Sequence, residues 1–159
     1  MTEPIKDPSD EEVASWHRTL APMAFDRAWE LLDAVDLGRE DEDELLAATF
    51  ASRYHWYQVG TERNRAIADW QVSRVAAVLG YADLSRRFGE RALEIAVEYS
   101  LDPFIRGFAH EAIARAAASV DDVEGFTEHL ELARAALSEI EDDEERETLQ
   151  ADLAEMSEE

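Results

Sequence analysis

Apolar residues recur at three- and four-residue spacing from about residue 23 to residue 156, and no stretch alternates with a period of two. The pattern predicts an all-α chain. Residues 1–9, with Pro4 and Pro8 among charged neighbours, are expected to be a flexible lead-in to a single domain over residues 10–157. Ser9 stands three positions before Glu12, the spacing of a capping box, so a short helix begins there. Pro22 fits a first helical turn better than an interior, which predicts a break near residues 20–22 and a second helix over 22–36 ended by Gly38. The acidic run Glu40 to Glu44 suits the positive start of a helix over 42–59, which Gly60 closes. Thr61 caps a helix reaching Leu79 before Gly80, another runs to about Leu101, and Asp102 with Pro103 opens one over 103–119. Asp121 and Asp122 turn the chain into a helix ending near Ile140. Glu144 to Met156 forms the last, with Leu149, Leu153 and Met156 on one side and Glu145, Glu147 and Asp152 toward water. Short loops make neighbouring helices antiparallel.

Displacing the chain against itself by 41 residues superposes Ala51, Ala92 and Ala133, then Leu31, Val72 and Ile113, then Val35, Ala76 and Ala117. The turns at Gly38, Gly80 and Asp121 fall into the same register to within about one residue. Three helical hairpins follow, with a short N-terminal helix before them and a C-terminal helix capping the exposed end. Within this register Ala92-Leu93-Glu94-Ile95, twelve residues after Gly80, resembles the second helix of a tetratricopeptide repeat. Phe108, Ile113, Ala117, Asp121-Asp122, Leu130 and Ala133 follow the same order of large and small positions. The resemblance covers residues 23 to 140 and implies a TPR-like α-solenoid serving as a protein-interaction scaffold. The chain departs from that pattern in its longer period, in Glu44, Ser85 and Phe126 at positions where alanine is common, and in lacking a proline at the close of each unit. Both an open superhelix and a more compact bundle fit. The segment from Arg53 through Val75 is also similar to bacterial and archaeal helical-repeat proteins.

Charge adds a second constraint. The net charge is -23, with 4 basic and 14 acidic residues over 1–52, 9 and 8 over 53–115, and 2 and 16 over 116–159. Acidic ends repel polyanions, so no nucleic-acid partner is expected. One lysine against 14 arginines fits a salt-adapted cell or a GC-rich genome. Cysteine is absent, which removes disulfides and thiolate chemistry, and no apolar run approaches the roughly 20 residues of a membrane span. With no apolar stretch near Met1 to direct secretion, a cytoplasmic location is expected.

In the repeat register the first helices turn Asp26, Trp29 and Asp33, then Ile67, Trp70 and Arg74, then Phe108, Glu111 and Arg115 to the concave side. Trp29, Trp70, Arg74, Glu111 and Arg115 are therefore the candidate peptide-binding residues, because tryptophan and arginine anchor interfaces and Arg74 can stack on Trp70. Arg53, His55 and Trp56 form a second polar-aromatic cluster and a candidate pocket. The four histidines stand singly, there is no nucleophile elbow or phosphate loop, and neither a cofactor nor enzymatic activity is expected. The expected function is a non-enzymatic interaction module for an unidentified protein or peptide, with self-association through an uncovered end a further route. The alternative is a small-molecule or metal-dependent helical-bundle enzyme using His55, His110 and Glu111. Like-charge repulsion across this acidic surface should weaken as salt screens it. Circular dichroism from low to molar salt is expected to show helicity and melting temperature rising; superimposable curves would contradict this.

Overall fold

The computed structural model describes residues 7–34 and 36–157. The regular structure of these residues is helical: α1 (Asp10–Leu32), α2 (Arg39–Val59), α3 (Glu62–Val78), α4 (Ala82–Glu98), α5 (Pro103–Ala118), α6 (Val123–Glu139) and α7 (Asp143–Ser157). No described helix is long and apolar enough to cross a membrane. Residues 1–6 of the expected lead-in, and Val35 of the repeat register, lie outside the described residues.

The start signals act as their chemistry requires. Ser9 accepts the Glu12 N–H at 3.3 Å while the Glu12 carboxylate accepts the Ser9 N–H at 2.8 Å, a reciprocal box on the first turn of α1. Thr61 and Asn64 make the same exchange on α3, and Asp102 accepts the Ile105 N–H at 3.1 Å ahead of Pro103. Gly80 closes α3 with φ +81, a left-handed conformation that glycine adopts without steric cost, and the Tyr81 N–H reaches back to the Ala76 carbonyl at 2.8 Å.

Two expected boundaries are wrong. Residues 20–22 hold no break: α1 continues through Pro22 for 23 residues. Ala21, Ala28 and Leu31 are all buried on one side of it, and the buried Ser52 hydroxyl of α2 donates at 3.0 Å to the Ala21 carbonyl next to the proline. Contacts on both sides of Pro22 thus hold the helix together against a cost of about 3 kcal/mol for an interior proline. Gly38 does not end the preceding helix, which stops at Leu32. It is the extended residue before α2, and its N–H donates to Asp41 at 3.1 Å.

Helices α1 and α2 run antiparallel, since Arg27 meets Glu44 at one end and His17 meets His55 at the other. Helices α3 and α4, and α5 and α6, pair likewise. Successive pairs join through α2 on α3 and α4 on α5, α3 touches α5 directly, and α7 lies against both α5 and α6. Of the 27 buried hydrophobic residues among those described, 14 are alanine, so helices approach closely and large side chains gather in a few places. The largest gathering joins Phe108, Leu130, Ile140, Leu149, Leu153 and Met156, so α7 covers the apolar side of α5 and α6. Gly107 permits that approach: a Cβ there would collide with Leu149. Replacing exposed Pro22 by alanine is expected to stabilise the protein by about 2 kcal/mol, because it restores one helical N–H and removes a clash. Thermal unfolding tests this, and unchanged or lower stability would place residue 22 outside a helix interior.

Candidate functional site

Glu111 is the most constrained polar residue of α5, with no exposed surface among its alanine neighbours. A carboxylate so far from water needs compensating donors. Arg115, one turn along, directs Nε at 2.7 Å and also Nη2 to Oε1, while Trp70 on α3 donates through Nε1 to Oε2 at 3.2 Å. Arg74 brings Nη1 to 3.7 Å from Oε1, and that nitrogen is itself buried without a hydrogen-bond acceptor. Arg74 therefore turns to Glu111 and makes no cation–π contact with Trp70, contrary to the stacking expected from their four-residue spacing. Asp152 of α7 completes the group: burial and the neighbouring Glu111 push its carboxyl above the usual range, while Arg74 and Arg115 pull the other way.

Aromatic rings extend the arrangement across the helices. Trp29 of α1 lies 5.7 Å from Trp70, and Trp70 meets Phe108 edge-on at 5.1 Å. Beside them is a cavity of about 250 Å³, lined by Phe25, Ala66, Ile67, Trp70, Ala92, Phe104, Ile105, Phe108 and Thr148. Its lining is almost wholly apolar. Trp70 has given its N–H to Glu111, and the Thr148 hydroxyl donates at 2.8 Å to the Glu144 carbonyl. A larger, more open cavity of about 480 Å³ lies at the far ends of α3 and α5, where Arg115 joins Val78, Asp122, Val123, Phe126 and Met156.

The five candidate peptide-binding residues are thus neighbours, in different roles. Trp70 faces the apolar cavity, Trp29 buttresses it, and Arg74, Glu111 and Arg115 form the ionic support behind it. Asp152 does not simply face water as expected, since it joins the Glu111 group, whereas Glu145 stays 41% exposed while lying 3.6 Å from the equally open Arg63 of α3.

Arg53, His55 and Trp56 diverge, so the second cluster is not one pocket. Arg53 donates at 2.5 Å to Asp69 of α3 and lies over the Tyr57 ring; Trp56 packs against Gly60; His55 Nδ1 is 2.7 Å from His17 Nδ1. Asp69 is fully buried, and burial pushes its carboxyl up although Tyr57 and Arg53 oppose it. The Tyr57 hydroxyl is pushed up to about 12 by burial and by Asp69. His110 pairs with His129 at 3.0 Å, and burial, then His129 and Arg106, lower it to about 4. The trio His55, His110 and Glu111 therefore points to three separate partners, and among the described residues no group of three or more histidine and carboxylate side chains is placed to hold a metal.

Sequence reasoning missed Asp69 and Asp152. The signal for Asp69 is an acid between Ala68 and Trp70 in the middle of a helix whose other acid, Glu62, sits in the first turn; for Asp152 it is a position 41 residues beyond Glu111. Compared with known proteins, the chain matches no family model, no curated protein and no solved structure.

Removing Arg115 leaves a buried carboxylate short of its strongest partner. Arg115→Ala is expected to cost about 3 kcal/mol, and Arg74→Ala distinctly less, since Arg74 makes no direct hydrogen bond to Glu111. Denaturant titration of both variants checks the order, and equal, small losses would refute it.

Proposed function

We propose that this protein is a non-enzymatic, TPR-like interaction module that receives a protein or peptide segment over α3 and α5, between α1 and α7. The carrying observation is the apolar cavity of about 250 Å³ bordered by Phe25 on the α1 side and Thr148 on the α7 side. An apolar concavity with firmly held walls is the usual form of a recognition site, and here Trp70 is fixed by its bond to Glu111. The hairpin-repeat reading is supported by contacts between residues one period apart: Trp29 stacks near Trp70, and Trp70 donates to Glu111. Asp152 stands one more period on and feels the Glu111 charge, which agrees with reading α7 as a fourth first helix.

Because Trp70 supports a buried carboxylate, replacing it confounds binding with stability. Thr148 is exposed, on the rim, and without a supporting role in the core. Thr148→Trp is expected to block the cavity while leaving the melting temperature within about 2 °C of wild type. Affinity capture from native cell extract, read by mass spectrometry, should retain a partner on wild type and lose it on this variant. Equal retention by both proteins would exclude the cavity as the recognition site.

A further inference from the structure

The occupant of this groove can be described by its chemistry. The cavity offers no unengaged hydrogen-bonding group, because the only side-chain polar atoms on its lining belong to Trp70 and Thr148, and both are already paired. A polar ligand would lose its hydration there without replacement. An apolar cavity of about 150 Å³ holds benzene, so the space here suits one leucine, phenylalanine or tryptophan side chain. Its floor is Ala92, one of the small positions that set helix spacing, so the space arises where a larger residue would have closed it.

Above the cavity the surroundings are acidic. On α7, the exposed Glu144 and the half-exposed Glu145, which shares Arg63, lie three or four residues from Thr148 and on its side of the helix. On α1, Asp26 follows Phe25 and Asp33 lies one turn beyond Trp29, both exposed. The nearby cations are engaged: Arg63 with Asp102 at 3.1 Å and Glu145 at 3.6 Å, Arg74 and Arg115 with Glu111, Arg27 with Glu30 and Glu44. The net charge of -23 reinforces the local field.

We infer that the groove takes a lysine- or arginine-rich segment that inserts one bulky apolar side chain into the cavity between α3, α5 and Thr148. The inference rests on the interaction reading above and specifies its partner. The apolar residue supplies the anchor, and the basic flanks supply attraction and orientation along the acidic rims. An acidic segment of the same shape is repelled.

Titration calorimetry at 0.15 M salt, a choice near physiological ionic strength, tests this with three synthetic helical peptides. One is lysine-rich with a single central phenylalanine, one is identical but with alanine at the centre, and one keeps phenylalanine among glutamates. The first is expected to bind stoichiometrically, the second about tenfold or more weaker, and the third not at all. Thr148→Trp and Ala92→Ile, each confirmed folded by circular dichroism, should both reduce binding of the first peptide to the level of the second. Equal binding of the two lysine peptides, or no effect of either variant, would reduce the attraction to diffuse charge and overturn the inference. If neither lysine peptide binds while capture from extract still depends on Thr148, the basic-anchor partner is refuted and the interaction reading stands; failure of both experiments refutes both.

Discussion

The burial of one carboxylate organises the middle of this protein. Glu111 has no exposed surface, so its charge is tolerable only where donors are already in place, and those donors come from α3 as well as α5. Trp70 cannot change its ring orientation without losing its bond to that carboxylate. Its ring also walls the apolar cavity. A requirement of electrostatics thus becomes a requirement of shape, and the rigidity of the cavity wall is inherited from an ion pair behind it.

A second constraint is the scarcity of bulk. With alanine supplying about half of the buried hydrophobic positions, the helices approach closely and the few large apolar side chains cannot fill every junction. The junction of α1, α3, α5 and α7 stays partly open for that reason. Asp69 plays for α2 and α3 the role that Glu111 plays for α3 and α5, since Arg53 and Tyr57 from α2 reach across to it. Buried acids met by residues of the adjoining helix hold successive pairs in register where apolar contact is thin.

The chain stated its helices openly and its polar interior hardly at all. Caps such as Ser9, Thr61 and Asp102 work through bonds three residues away, so local spacing suffices to find them. Pro22 misled because its penalty is local while its compensation, Ser52 on the next helix and the buried residues on either side, is tertiary. Trp29, Trp70 and Glu111, singled out together because they stand 41 residues apart, do meet in the fold, with Arg74 and Arg115 beside the carboxylate. Their division of labour was not legible, because whether an arginine faces a ring, a carboxylate or solvent depends on which neighbour is buried. Helix α7 shows the same limit: its apolar side was evident, whereas the part Asp152 takes beside Glu111 required knowing that Arg74 and Arg115 stand opposite.

The placement of α7 also sets an order of events during synthesis. Each residue that donates to Glu111 lies at or before Arg115, so that carboxylate has its donors before any of α7, Asp152 included, is made. The apolar flank of α5 and α6 is different: Phe108, Leu130 and Ile140 wait for Leu149, Leu153 and Met156. A nascent chain can settle the charge of Glu111 while its greasiest surface is still bare, and it is two later turns, in α7, that turn this surface into interior.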